Sequence, residues 1–248
     1  MKMYTPPLLQ LRTKKSWEEY RGFQKRVEPL SGNVELNFSK PITVICGENG
    51  SGKTTLLEII AYLAGYNPMG GSKNNARYDT EAWDEISAHF TLSWSKKMTN
   101  GFFLRADQYA SYVNYIDELA RQSGKKALHP YGGYALSSQS HGEGFTSIFS
   151  NRFSIPALYI FDEPEAALSP ERQISLLYIM QEMISSGSQI IMATHSPLLM
   201  SSPHSEVLQM DDHFEKINYK DTKHFVILKR FFADPESFLK KISLDTEL

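Results

Sequence analysis

The sequence predicts an α/β fold, a mainly parallel sheet flanked by helices, from three observations. Three short apolar runs, at residues 42–46, 157–161 and 189–193, have the length and composition of buried strands. Segments of helical character at 54–63 and 170–185 lie between those runs. Strands alternating with helices favour parallel pairing with the helices packed on both sheet faces.

Taken in chain order, residues 8–11 and 35–38 read as short strands ahead of the first core strand. Pro41 and Gly47 bound the apolar run at 42–46, and Gly65 stops the helix over 54–63. Residues 66–80, rich in Gly, Asn and Ser, read as a loop. Residues 89–94 and 102–104 read as strands separated by a turn at Asn100-Gly101. A helix over 109–121, a loop over 122–139 and a helix over 145–153 follow. Ser169 is placed to cap the helix over 170–185, with Pro170 in its first position. Residues 207–210 and 214–219 read as a hairpin around Asp211-Asp212, and Asp234 is placed to cap a last helix that starts at Pro235. No fixed-period repeat or sustained heptad pattern is present, which argues against a long coiled-coil arm.

A chain of 248 residues accommodates one large α/β domain, and its 41% hydrophobic and 22% charged content suits a buried core. The formal net charge of -2 gives no global basic field, so binding to nucleic acid has no support from charge. The single cysteine, Cys46, cannot form an internal disulfide and reads as a small buried hydrophobe. No apolar stretch is long enough to span a bilayer and no signal-like core follows the N-terminus, so the expected location is cytoplasmic. The histidines lack ligand spacing for a transition metal, and Lys125-Lys126 and Lys240-Lys241 read as solvated charges.

Four motifs carry chemistry. The first is G-E-N-G-S-G-K-T: Gly47, Glu48, Asn49, Gly50, Ser51, Gly52, Lys53 and Thr54, with Thr55 following. It lies between a strand and a helix, the setting of a phosphate-binding P-loop. Gly50 and Gly52 let the backbone N–H groups turn toward phosphates, and the following helix adds its positive dipole end. Lys53 then reaches the β- and γ-phosphates of a nucleotide, and the Thr54 hydroxyl is a ligand for Mg²⁺. The second is A-L-Y-I-F-D-E-P at 157–164. It puts Asp162 at the end of a buried strand, expected beside the P-loop strand, to hold the Mg²⁺ shell. Glu163 follows as a general base for the attacking water. The third is Q-I-I-M-A-T-H-S-P at 189–197, which brings His195 off a strand end toward the γ-phosphate. The fourth is S-H-G-E-G at 140–144, where Ser140, Gly142 and Gly144 precede a helix and form a second anion loop.

In this order the parts resemble the nucleotide-binding domains of ABC-type ATPases, over roughly residues 42–197. Within that superfamily the chain is similar to small stand-alone bacterial ATPases related to SMC heads but without coiled-coil arms. The residues that carry this likeness are G-Y-N-P-M-G-G-S at 65–72, G-F-F-L-R-A at 101–106, S-H-G-E-G, D-E-P-E-A-A-L-S-P at 162–170 and F-L-K-K-I at 238–242. The resemblance implies one ATPase domain over 1–248, with an antiparallel β subdomain and a helical lobe near 105–155. It implies ATP and Mg²⁺ as ligands and a head-to-tail homodimer with ATP at the interface. Ser140, Gly142 and Gly144 are then the signature loop that meets the partner copy's γ-phosphate, and residues 165–169 couple the two copies. Glu163 is the catalytic base and His195 the γ-phosphate sensor. The lid residue is Asp107 or Gln108, and Tyr20 and Phe23 are the candidates for stacking on adenine. No N-K-x-D motif is present, which favours ATP over GTP. The output implied is a switch for a protein effector in a bacterial defence or toxin–antitoxin setting. The alternatives are the ATP-binding subunit of a transporter and a nucleotide-gated DNA-associated protein. The 87 residues from Lys53 to Ser140 leave no room for long arms.

Overall fold

The structure is a computed structural model that describes residues 4–14, 18–19, 21–22, 27–71, 81–124, 128–129, 133–135, 137 and 156–245. The described residues form strands β1 (Leu8–Thr13), β2 (Glu35–Asn37), β3 (Ile42–Cys46), β4 (Phe90–Trp94), β5 (Gly101–Arg105), β6 (Leu158–Asp162), β7 (Gln189–Ala193), β8 (Ser205–Met210) and β9 (Phe214–Ile217). The α-helices are α1 (Glu28–Ser31), α2 (Lys53–Ala64), α3 (Glu81–His89), α4 (Tyr109–Ser123), α5 (Pro170–Ser185), α6 (Pro197–Met200), α7 (Lys223–Ala233) and α8 (Pro235–Asp245).

The larger sheet has the order β5-β6-β7-β3-β8-β9. Every pairing in it is parallel except the β8–β9 hairpin, which forms around Asp211-Asp212 as expected. A smaller antiparallel sheet has the order β2-β1-β4. Every residue of β3, β6 and β7 is buried, because both faces of the sheet are covered. Alternation then divides each apolar run between two cores. Ile45, Ile160, Ile191 and Ala193 join the core shared with α2 and the small sheet. Val44, Cys46, Tyr159, Phe161, Ile190 and Met192 join the core shared with α5 and α6. Full burial of one such side chain contributes about 1.5–3 kcal/mol.

Helix α2 touches β4 on one side and β6 and β7 on the other. That explains why it buries Leu56, Leu57, Ile59, Ile60, Ala61 and Ala64, more than a single-faced stripe. It stops at Gly65, whose φ of 84° is left-handed. Ser169 accepts a hydrogen bond from the Arg172 N–H at 3.4 Å and starts α5. Asp234 accepts from the Ser237 N–H at 3.0 Å and starts α8. The two sheets are tied by Gln189 of β7. Its side chain accepts from the Leu8 N–H at 2.7 Å and donates to the Leu8 carbonyl at 3.0 Å.

Two expectations change. The expected strands form as Phe90–Trp94 and Gly101–Arg105, with His89 ending α3, but β4 and β5 lie in different sheets, so Asn100-Gly101 leads into the other sheet. The Asp162 strand is not beside the P-loop strand either: β7 lies between β3 and β6. Helices α1, α3, α6 and α7 are additions to the sequence reading. The signature loop at Ser140, Gly142 and Gly144, the expected helix over 145–153, and Tyr20 and Phe23 lie outside the described residues. No described helix is long and apolar enough to cross a membrane.

Candidate functional site

The C-terminal ends of β3, β6 and β7 meet at one end of the sheet. The loop after β3 is the Gly47–Thr54 motif, and Lys53 and Thr54 open α2. Gly50 and Gly52 have φ of 83° and 94°, so the loop curls through the left-handed region that glycine favours. At Gly52 a Cβ would also lie 2.1 Å from Cγ1 of Val27. At Gly47 it would lie 2.3 Å from the Met210 carbonyl oxygen. The N-terminus of α2 has no side-chain cap, so its first N–H groups keep their capacity to hold an anion.

The Lys53 side chain is buried across this loop. Its Nζ donates to the carbonyls of Gly47 at 3.1 Å and Glu48 at 2.8 Å. Burial lowers its pKa, and the nearby carboxylates of Glu163 and Asp162 oppose that shift. The Ser51 hydroxyl is buried without a hydrogen-bond partner.

Asp162 ends β6, level with Arg105 of β5 and Ala193 of β7. Burial pushes its carboxyl up to about 6, against a hydrogen bond from the Thr54 side chain and the charge of Arg105. Its Oδ1 is buried and has no hydrogen-bond partner. An orphaned carboxylate oxygen and the neighbouring Thr54 hydroxyl are hard oxygen donors and fit Mg²⁺. That ion takes one or two protein side chains and completes its shell with phosphate oxygens and water. The described residues contain no cluster of three or more His, Cys, Asp or Glu able to hold a metal.

Glu163 has φ 48° and ψ 50°, a left-handed conformation that costs a non-glycine residue about 1–2 kcal/mol. That turn brings its carboxylate to a cleft of about 300 Å³ lined by Thr54, Arg105, Asp107 and Asp162. The next element is a short 3-10 turn, Pro164–Ala167. From it, Glu165 accepts from the Thr194 hydroxyl at 2.7 Å and from the His195 N–H at 2.6 Å. His195 thereby sits with Nε2 3.5 Å from Oε1 of Glu163, close enough to attract but with no hydrogen bond formed. Burial lowers the His195 pKa, helped by Lys53 and His224 and opposed by Glu163.

Arg105 forms ion pairs with Glu58 and, at 2.9 Å, with Asp107. Of the two lid candidates, Asp107 lines the cleft that holds Thr54 and Asp162. Gln108 lines a separate groove with Asn67, Met69 and Gly70 and donates to Asp107 at 3.4 Å. Burial pushes the Cys46 thiol up to about 11, consistent with a small buried hydrophobe.

Residues 18–132 match a family described as an AAA domain, and residues 133–201 match one described as "AAA domain, putative AbiEii toxin, Type IV TA system". Between them the two matches mark the chain as similar to AAA/ABC-type P-loop ATPase domains. It is 26% identical over 192 residues to the glutamine transport ATP-binding protein GlnQ of Escherichia coli, covering 71% of this chain and 80% of that protein. It is 27% identical over 180 residues to the nucleoside import ATP-binding protein NupA of Lactococcus lactis, covering 66% of this chain and only 35% of that protein. A shorter likeness, 34% over 56 residues, links it to the Septu protein PtuA of Bacillus thuringiensis, covering 22% of this chain and 14% of that protein. In fold it is similar to an SMC head bound to the C-winged helix domain of ScpA, with a TM-score of 0.50 at 14% identity, covering 86% and 97% of the two chains. It is equally similar to a putative metal-chelate type ABC transporter, with a TM-score of 0.50 at 15% identity, covering 88% and 87%.

The structure brings together Lys53, Thr54, Asp162, Glu163 and His195, all named from sequence. Sequence reasoning missed Arg105, Lys223 and His224. Lys223, on α7, forms an ion pair with Glu48 of the P-loop, and His224 meets His195. Arg105 left one signal, a charge at the end of the apolar run F-F-L. The two α7 residues left none, because their contacts join segments far apart in the chain.

Proposed function

We propose that this chain binds Mg-ATP at the P-loop and hydrolyses its γ-phosphate at the interface of a head-to-tail homodimer. The single observation that carries the reading is the meeting of Lys53, Thr54, Asp162, Glu163 and His195 at the ends of three parallel strands. Thr54 and Asp162 would hold Mg²⁺, which when bound would supply charge neutralisation at the phosphates. The backbone N–H groups of the loop and Lys53 bind and orient the phosphates. Glu163 accepts a proton from the attacking water, and His195 contacts the γ-phosphate. Gly47, Glu48, Asn49, Gly50, Ser51, Gly52 and Thr55 shape the loop, and Ser140, Gly142 and Gly144 complete the site from the second copy.

ATP binding closes the dimer and hydrolysis opens it, so the chain works as a cytoplasmic switch for a protein effector. Support for an effector in a toxin–antitoxin setting comes from the description of the family matched over 133–201. The likeness to GlnQ favours a second reading, the ATP-binding subunit of a transporter. Recovery of a membrane protein with the chain would select it. The test is ATP turnover and oligomeric mass in Mg-ATP, for wild type and Glu163→Gln. The expected result is turnover in wild type only, with the variant trapped as an ATP-bound dimer. Equal turnover in two monomers would sink the roles given to Glu163 and Ser140.

A further inference from the structure

Thr222 starts α7 by accepting a hydrogen bond from the Phe225 N–H at 3.3 Å. The first turn of α7 then lies against both nucleotide loops. Lys223 pairs with Glu48, and Nε2 of His224 lies 3.2 Å from Nδ1 of His195. The two rings tilt by 52° with centroids 4.7 Å apart. The other end of the His195 ring, Nε2, is buried without a hydrogen-bond partner and lies 3.5 Å from Oε1 of Glu163.

Only one neutral tautomer suits both ends. With the proton on Nε2, the ring presents a donor to the Glu163 carboxylate and a lone pair on Nδ1. With the proton on Nδ1, a lone pair on Nε2 faces a carboxylate, which is repulsive. The first form requires a donor at Nδ1, and the His224 Nε2–H is in reach. We infer that His224 is a positioning residue: it donates to Nδ1 of His195 and fixes that ring as the Nε2–H tautomer, aimed at Glu163 and the phosphate cleft. This rests on the reading of the cleft as the γ-phosphate site. It makes α7, which touches the P-loop through Lys223, a mechanical link between the nucleotide and the C-terminal helices.

The test uses the full chain with ¹⁵N-labelled histidine and no nucleotide, at about pH 8, where ordinary imidazoles are neutral. Long-range ¹⁵N–¹H NMR separates the tautomers, and the His195 signals are assigned by their loss in His195→Ala. The expected result is an unprotonated Nδ1 and a protonated Nε2. His224→Leu then gives a tautomer mixture, and His224→Gln, which keeps an N–H donor, restores the single form. In Mg-ATP, His224→Leu lowers kcat about tenfold with KM changed less than about twofold, and His224→Gln recovers most of the loss. A wild-type His195 protonated on Nδ1 overturns the inference whether or not the His224 variants fold. The same tautomer in wild type and His224→Leu also overturns it. The expected tautomers in a chain without turnover would support the positioning role while sinking the ATPase reading.

Discussion

The backbone N–H of His195 donates to the half-buried carboxylate of Glu165 at 2.6 Å, and the same carboxylate accepts from the Thr194 hydroxyl at 2.7 Å. The turn after β6 is thereby locked to the end of β7, and Glu163 and His195 are held at a fixed separation. Burial pushes the Glu165 carboxyl above its usual range, against these two hydrogen bonds. Glu165→Ala leaves the half-buried His195 N–H and the buried Thr194 hydroxyl without an acceptor, at a cost of about 1–3 kcal/mol. The urea midpoint is expected to fall with the slope unchanged. ATP turnover should fall more than ATP affinity, because the P-loop is untouched. An unaltered midpoint would remove Glu165 from the lock.

Asp162 gives the domain a pH dependence of definite sign. Burial raises its carboxyl from 3.8 to about 6, so the folded state opposes ionisation. That contribution to stability is complete below the unfolded value and is lost as pH rises from about 4 to about 6. Asp162→Asn removes the ionisation. Without nucleotide, the variant should match the wild-type melting temperature near pH 4 and exceed it by neutral pH. Wild-type affinity for Mg-ATP should rise over the same interval, because the cation needs the ionised carboxylate. A melting-temperature difference that stays constant from pH 4 to 7 would contradict this account.

The central strands and the site were legible because burial on both faces leaves an unbroken apolar run ending in chemistry. β3, β7 and α5 match their sequence ranges, and β6 is displaced by one residue. Neighbour order was not legible. An apolar run reports that a strand is buried but not which strand it pairs with, so the insertion of β7 between β3 and β6 left no local trace. Asn100-Gly101 has the composition of a hairpin turn whether the chain folds back or changes sheets. Helix α7 reads K-H-F-V-I-L-K-R-F-F-A, and a helical pattern does not report which element the helix packs on, so its place beside the P-loop was hidden. Glu165 and His224 each act on His195 across about 30 residues of chain, a contact that only the packed fold creates.

Lys53 separates binding from folding. Its ammonium is buried and held by the carbonyls of Gly47 and Glu48, and burial depresses its pKa. Replacing a buried charge by an apolar group of similar length is often neutral or stabilising. Lys53→Met should therefore leave the nucleotide-free stability within about 1 kcal/mol of wild type. It removes a charge-assisted contact with phosphate, which lowers ATP affinity about 10- to 100-fold. Chemical denaturation and titration with a fluorescent ATP analogue measure the two effects separately. Loss of binding accompanied by unfolding would mean that Lys53 is a structural residue.

Gln189 tests the join between the two sheets. Its side chain is fully buried, and its two hydrogen bonds satisfy both the N–H and the carbonyl of Leu8. Gln189→Leu keeps the volume and adds apolar surface, but it strands a buried backbone donor and acceptor. The unsatisfied groups outweigh the gain, and the net loss should be about 2–4 kcal/mol. Amide exchange should speed up first at Leu8 and Leu11, while β3 and β6 keep their protection. If exchange rises equally in all these strands, the small sheet and the large sheet unfold as one unit, and Gln189 is not a local tie.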